Sequence, residues 1–182
     1  MNAFDALGIP PTLVLTDSEI EAAWREAGKK HHPDAGGAEA DFRAAGEARN
    51  ILASPSSRLA HWLELHGHAP DPRGAVAGEV MDLFSAVGDV VRRAAGLARR
   101  REAATTALGL AVLESETLHL RADIESAIRR VDAAITARCR PFSQWQDDPS
   151  QAVRDQADAT VRNLRFLEKW RRDLMAAYAS LA

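Results

Sequence analysis

The 182-residue sequence has few of the residues on which several protein classes depend. Its single cysteine, Cys139, excludes a disulfide framework and a cysteine-based metal cage. No apolar run approaches the ~20 residues of a membrane-spanning helix, and residues 1–10 lack the basic and apolar segments of a signal peptide. The 23 Lys and Arg nearly balance the 26 Asp and Glu, which disfavours bulk binding to nucleic acid or to an anionic membrane. We therefore expect a soluble cytoplasmic protein that binds neither.

The composition favours helices over strands. Alanine makes up about a fifth of the chain, and 46% of the residues are hydrophobic, but only 5% are aromatic. Ala, Leu, Glu and Arg form helices readily, whereas the β-branched and aromatic residues typical of strands are sparse. The sequence therefore predicts an all-α fold with a packed core.

One segment rich in proline and glycine divides the chain. Residues 66–74 hold two prolines and two glycines in nine positions, and a helix does not cross such a stretch easily. We predict a first module over residues 1–66, a linker over 67–74 and a second module over 75–182.

The first module is predicted to contain four helices. A short helical turn over residues 4–7 ends at Gly8. Thr16 and Glu19 have the spacing of a capping box, and the helix that they begin ends by His31 because Pro33 disfavours helical backbone in the residue before it. A third helix spans about residues 38–53, and Ser54 then caps a fourth that starts with Pro55. The residues predicted to be buried are Ile20, Ala23, Trp24, Ala27, Phe42, Ala45, Ala48, Leu52, Leu59, Trp62 and Leu63.

The second module is predicted to be an antiparallel three-helix bundle, because apolar residues recur at nearly heptad spacing over long stretches. The turn between its first two helices lies at residues 101–106 or 114–117, and Pro141 ends the second helix. Asp148 is the predicted N-cap of the last helix, with Pro149 in its first position. The predicted core stripes are Val76, Val80, Phe84, Val87, Val91 and Ala94; Leu110, Leu113, Thr117, Leu120, Ile124, Ile128, Val131 and Ile135; and Val153, Ala157, Thr160, Leu164, Leu167, Leu174, Tyr178 and Leu181.

The residues with the most evident chemistry are His32, Pro33 and Asp34, which follow a basic helix end containing Arg25, Lys29 and Lys30. The proline restricts the backbone, so the imidazole and the carboxylate are held outside the helix and are accessible to another molecule. Taken alone, the tripeptide is more typical of an ordinary solvated loop than of a binding site.

The order of these elements resembles a J-domain, the part of DnaJ-type co-chaperones that engages a DnaK-type ATPase. Three separated segments are similar to the HscB family of iron–sulfur cluster co-chaperones. They are residues 4–10 (FDALGIP), 54–67 (SPSSRLAHWLELHG) and 161–170 (VRNLRFLEKW). The resemblance implies a J-domain hairpin followed by the HscB helical bundle.

The resemblance also implies a mechanism and a first partner, a DnaK/HscA-type chaperone ATPase. His32, Pro33 and Asp34 would contact the nucleotide-binding domain and the interdomain linker of that chaperone. Arg25, Lys29 and Lys30 would steer the J-domain toward an acidic surface; the alternative for each is an ordinary solvated helix face. The protein would hold no cofactor and would not be an enzyme.

In the HscB family the bundle binds an iron–sulfur scaffold protein, which is the second implied partner. The matching apolar positions are Val80, Met81, Phe84 and Phe166, although Val80 and Phe84 fit a core stripe equally well. The acidic part of the family motif is retained only at Asp82, since uncharged residues stand at the three other positions, which are Ser85, Val87 and Gly88. The alternative is a J-domain protein with a different client or a self-associating bundle.

The sequence contains residues that could form two further kinds of site, a metal site and an acid–base catalytic site. His61, Glu64 and His68 have spacings that would chelate a metal on one continuous helix, but Gly67 ends that helix before His68. Acid–base catalysis by the His32 loop lacks an accompanying nucleophile, phosphate-binding loop or buried carboxylate pair. The sequence thus predicts neither a metal site nor catalysis, and Trp145 is predicted to anchor the last loop.

Overall fold

The computed structural model describes residues 2–32 and 37–181. Within those ranges it contains helices and no strand, which confirms the all-α prediction. None of the described helices is long and apolar enough to cross a bilayer. The helices are α1 (Ala3–Leu7), α2 (Asp17–His31), α3 (Glu39–Ala53), α4 (Pro55–Leu65), α5 (Gly78–Ala103), α6 (Ala107–Cys139), α7 (Phe142–Trp145) and α8 (Gln151–Ala179).

The chain forms two compact units. One comprises Met1–Ala75 with Cys139–Leu164, and the other comprises Val76–Arg138 with Arg165–Ala182. The first junction lies just after the predicted linker. The segment after α6, which the sequence assigns to the second module, instead supplies α7 and the first half of α8 to the first unit.

Helix ends in the first unit follow local hydrogen bonding. The Thr16 hydroxyl accepts the Glu19 backbone N–H at 3.3 Å, and the Glu19 carboxylate accepts the Thr16 backbone N–H at 2.7 Å. Gly8 ends α1 with a φ of 65°, in the left-handed region that favours glycine. The Ser54 hydroxyl caps α4 by accepting the Ser57 N–H, with Pro55 in the first turn. Both predicted caps, at Thr16 and Ser54, are confirmed.

The core of the α1–α3 region is small and alanine-rich. Its buried members are Ala3, Phe4, Leu7, Ile20, Ala27, Ala45, Ala48 and Leu52. The prediction was wrong for Phe42, which is 37% exposed, while Ala23 and Trp24 are only partly buried. Phe42 occupies the α3 turn opposite Gly28, where the neighbouring helix has no side chain to cover it.

The first half of α8 holds the linker within the first unit. Arg154 donates to the His66 carbonyl at 3.2 Å, and Arg162 donates to the Asp71 carbonyl at 2.9 Å. Between them, Asp158 lies 3.0 Å from Nε2 of His68. These three α8 residues recur at intervals of four and share one helix face. They account for the ordered path of the linker.

The loop before α8 is anchored by buried aromatic residues. Trp145 and Phe142 are buried with ring centroids 6.1 Å apart, as expected of an anchor at Trp145. The predicted cap of α8 was wrong by two residues. Ser150 accepts the Val153 N–H at 3.4 Å, while Asp148 accepts the N–H of Ser150 itself and so forms the turn that precedes the helix.

The second unit has a continuous apolar core formed by α5, α6 and the second half of α8. The turn between α5 and α6 lies at residues 104–106, within the first of the two predicted segments. Arg101, in the last turn of α5, donates to Thr117 of α6 and to the carbonyl of Leu181, which follows α8. The buried core residues are Val80, Leu83, Val87, Val90, Ala94, Leu97, Leu120, Ile124, Ala127, Val131, Leu167, Trp170, Leu174, Ala177 and Leu181.

Two predicted core positions in this unit were wrong, because Phe84 is 54% exposed and Leu110 is 45% exposed. Val91 is partly buried and packs against the core. On α5 the buried stripe contains Leu83 and Val90, each one residue before a position of the predicted stripe. Both stripes share Val80, Val87 and Ala94, so helical periodicity alone allows either.

Candidate functional site

The C-terminal half of α2 presents three exposed cations, Arg25, Lys29 and Lys30. Lys29 donates to the Glu26 carboxylate at 2.7 Å, and that hydrogen bond, reinforced by the lysine charge, lowers the pKa of Glu26 below its ordinary value. Arg25 donates its Nε to a backbone carbonyl, that of Glu21, and its charge also contributes to the lowered pKa of Glu26. Lys30 has no ion-pair partner among the described residues. The helix end is therefore a positively charged surface, as predicted.

His32 follows α2 directly and leaves the helical conformation. Its backbone is extended (φ −61°, ψ 131°), and its side chain is exposed. The carbonyl of His32 accepts the N–H of Gly37 at 3.0 Å, which closes the connection to α3. A Cβ at position 37 would overlap the His31 backbone, so glycine is required there. Pro33 and Asp34 of the predicted tripeptide lie outside the described residues.

The exposed aromatic ring of Phe42 contacts His32, a relationship that sequence periodicity did not anticipate. The two rings meet edge-on with centroids 5.6 Å apart. Phe42 and Trp24 line an open groove of about 480 Å³ with His32 and Gly28, and the side chains of Arg25 and Lys29 form its charged rim. The apolar surface of the groove therefore adjoins the basic end of α2. Gly28, opposite Phe42, was the one signal in the sequence that this surface is open.

The indole of Trp24 contacts a charged pair formed by Arg49 and Glu21. Arg49 lies over the Trp24 ring at 4.9 Å and donates to the Glu21 carboxylate at 2.6 Å. Cation–π contact and ion pair together restrict the indole. The side of the groove that Trp24 forms, on α2, is therefore held in one position.

A second candidate surface lies in the second unit, where three of the four predicted residues are exposed. Met81 and Phe84 on α5 and Phe166 on α8 are each about half exposed, whereas Val80 is buried in the core. The rings of Phe84 and Phe166 lie 5.9 Å and 6.0 Å from the ring of buried Trp170. Trp170, which the sequence reasoning did not single out, is four residues after Phe166 and so lies on the same helix face.

The positions that correspond to the acidic part of the HscB motif differ in their exposure. Asp82 and Ser85 are exposed, but Val87 is buried in the bundle core. A charged residue at position 87 would be desolvated, so the absence of acid there follows from the packing of this bundle. Of the four motif positions, only Asp82 supplies an exposed acid beside the apolar residues.

The histidines weighed as metal ligands have other partners. His61 is buried, accepts the Ala3 N–H at 3.0 Å and stacks on Phe4. His68 contacts Asp158, as described above. Over the described ranges, no group of three His, Cys, Asp or Glu side chains has an arrangement suited to a metal ion.

Comparison with known proteins identifies the N-terminal region. The DnaJ domain family model matches residues 2–61. The chaperone protein DnaJ of Erysipelothrix rhusiopathiae is 39% identical over 75 residues, which are 40% of this chain and 19% of that protein. DnaJ of a Polaromonas species is 33% identical over 84 residues, covering 41% of this chain and 21% of the relative. The match thus spans about a fifth of the length of these curated relatives.

A solved structure is similar over the whole chain. The chaperone HscB from Vibrio cholerae aligns with a TM-score of 0.61 and 20% identity, covering 100% of both chains. At this identity the likeness establishes the fold. Together with the DnaJ domain match over residues 2–61, it shows that the chain contains a J-domain at its N-terminal end and has an HscB-like fold.

Proposed function

We propose that this protein is a non-enzymatic co-chaperone that stimulates the ATPase of a DnaK/HscA-type chaperone through its J-domain. The observation that carries the proposal is the placement of His32 at the end of the basic α2 surface, within the segment that matches the DnaJ domain. The curated DnaJ relatives are chaperone proteins by name, which supports the same assignment.

The mechanism is differential binding. The loop of His32, Pro33 and Asp34 must bind one conformational state of the chaperone more tightly than another, since a ligand with equal affinity for both shifts no equilibrium. Arg25, Lys29 and Lys30 raise the association rate toward an acidic surface. The groove between Trp24 and Phe42 accepts an apolar side chain of the partner beside the loop.

Single substitutions in the loop test the J-domain role. His32→Gln and Asp34→Asn are expected to abolish stimulation of a purified DnaK/HscA-type ATPase, with His119→Gln, an exposed histidine of the second unit, as the matched control. Unchanged stimulation by the two loop variants would show that the assignment is incorrect.

The finer part of the proposal is that the bundle presents an iron–sulfur scaffold protein to the chaperone. It is supported by the exposure of Met81, Phe84 and Phe166, the apolar positions carried over from the HscB resemblance. Phe84 and Phe166 both pack on the buried ring of Trp170, so a partner's apolar side chain would meet two half-exposed aromatic rings.

Titration calorimetry with a purified iron–sulfur scaffold protein tests this part. Met81→Ala and Phe166→Ala are expected to weaken binding, while Met175→Ala, which alters a similarly exposed methionine elsewhere on α8, should leave it unchanged. Absence of wild-type binding would remove the scaffold role.

The scarcity of acidic residues around this surface favours a second candidate, a different client that binds the same apolar residues. Retained ATPase stimulation without scaffold binding would support that reading.

A further inference from the structure

Buried His61 on α4 makes a contact with the first helix that the proposed function does not use. Its Nε2 atom accepts the backbone N–H of Ala3 at 3.0 Å, although the two residues are 58 positions apart in the chain. Its ring stacks on that of Phe4, with centroids 5.8 Å apart and an interplanar angle of 24°. One side chain of α4 therefore holds the first turn of α1 by a hydrogen bond and by an aromatic contact.

The hydrogen bond from Ala3 satisfies a donor that α1 cannot satisfy by itself. The first N–H groups of a helix have no acceptor in a preceding turn. In α1 the Asn2 side chain accepts the N–H of Phe4, and His61 accepts that of Ala3. Ala3 is fully buried, so water does not replace this acceptor. Because a helix of five residues is unstable alone, α1 depends on such tertiary contacts.

The direction of this hydrogen bond fixes the position of the proton on the imidazole. A backbone N–H can only donate, so Nε2 of His61 presents its lone pair and the ring proton lies on Nδ1. A second proton would turn Nε2 into a donor and set two N–H groups against each other. The cation would also face the N-terminal end of α1, where the helix dipole is positive. A doubly protonated His61 is therefore incompatible with the contact to Ala3.

We propose that the protonation state of His61 controls the attachment of α1 to α4, so that the neutral ring holds the helix and the doubly protonated ring releases it. The inference is independent of the proposed function. Since the unfolded chain takes up the proton that this contact excludes, the attachment weakens as the pH falls. Release of α1 removes Phe4 and Leu7 from the core that they share with α3. Acid therefore loosens the J-domain.

The charged groups near the ring come from both helices. Glu64, one turn later on α4, lies 3.8 Å from Nδ1 and favours a positive ring, but its side chain is 59% exposed and its charge is screened. Arg58, one turn earlier on α4, is buried and disfavours a second cation. On α1 the charged residue is Asp5, which is exposed. From that helix a backbone N–H, and not a carboxylate, faces Nε2.

NMR spectroscopy of the full-length protein tests the proposal directly. At about pH 7.5 the ring ¹⁵N shifts of His61 are expected to show a protonated Nδ1 and an unprotonated Nε2. Between about pH 7.5 and about pH 5.5, the hydrogen-exchange protection of the Ala3 and Phe4 amides should fall about tenfold or more. The amide of Ala127, buried in the second unit, should change much less.

A substitution that keeps an acceptor separates His61 from the other titrating groups. The side-chain carbonyl of His61→Gln takes up no proton in this range, so protection of α1 should change by less than about threefold. His119→Gln, at an exposed histidine of the second unit, is the matched control and should show the wild-type loss.

Three results would overturn the proposal. They are a wild-type ring protonated on Nε2 at neutral pH, wild-type protection of α1 that does not depend on pH, and an equal loss of protection in His61→Gln. The first two are measured on the wild type, so they decide the question even if His61→Gln does not fold.

Discussion

The imidazole of His32 rests edge-on against the ring of Phe42, with the two centroids 5.6 Å apart. This contact links the residue that ends α2 to the second turn of α3, across the connection that contains Pro33 and Asp34. Because Phe42 is itself partly exposed, the same ring contacts His32 and presents apolar surface beside it.

Replacing Phe42 should impair function more than folding. Phe42→Ala is expected to reduce ATPase stimulation about fivefold or more, the effect of losing roughly 1 kcal/mol of interface contact. Its effect on the free energy of unfolding should stay below about 1 kcal/mol, since the side chain is partly solvated. Leu65→Ala, which truncates a comparably exposed residue at the end of α4, is the control. Equal losses of stimulation in both variants would contradict the assignment.

Gly28 should be replaceable by alanine with a gain in stability. A Cβ at position 28 would lie 3.9 Å from Cε2 of Phe42, an ordinary van der Waals contact. Because glycine is costly in a helix, Gly28→Ala is expected to raise the free energy of unfolding by about 0.5–1 kcal/mol, measured by urea denaturation. A loss of stability would mean that the groove does not tolerate the methyl group.

An added acid should cost much more stability at one of two nearby positions on α5 than at the other. Val87→Asp buries an unpaired carboxylate in the bundle core and should cost about 3 kcal/mol of unfolding free energy. Ser85→Asp is exposed and should change stability by less than about 0.5 kcal/mol. Chemical denaturation of the two variants checks the prediction, and similar costs at both positions would contradict the register of α5.

The capping box of α2 predicts a pH dependence. Hydrogen bonds from the Thr16 hydroxyl and backbone lower the pKa of Glu19 below its ordinary value of 4.5. A carboxyl group whose pKa is lower in the folded protein stabilises it above the ordinary pKa, and this contribution is lost as the pH falls through the folded-state pKa.

Glu19→Gln should therefore lower the Tm relative to wild type at pH 7, and the difference should shrink as the pH falls below about 4.5. Glu47→Gln, an exposed glutamate in α3, serves as the control and should show little difference at either pH. A Glu19→Gln difference that persists unchanged in acid would contradict the carboxylate's role.

Features that depend on nearby residues could be predicted from the sequence. The caps at Thr16 and Ser54 each rest on hydrogen bonds within three residues, and both are present. The end of α2 at His31 follows from the proline two residues later. Of the candidate site, the basic surface of α2 and the exposure of His32 were predicted in this way.

Features that depend on distant contacts could not be predicted. Phe42 fits an apolar stripe as well as Ala45 does, and only the position of Gly28 on α2 leaves its ring exposed. Trp170 belongs to the second candidate surface because its ring contacts that of Phe84, which is 86 residues away in the chain. Neither relationship has a local signal.

By itself, the sequence determined the all-α class, the ends of α2 and the start of α4, and the order of the J-domain elements, because capping, proline and helix propensity act within one or two turns. The tertiary structure alone decided that Leu83 and Val90 enter the bundle core while Phe84 remains exposed, and that α8 contributes to both compact units. Two adjacent stripes on a helix satisfy the 3.6-residue period equally well. The neighbouring helices that pack against the helix determine which of the two stripes is buried.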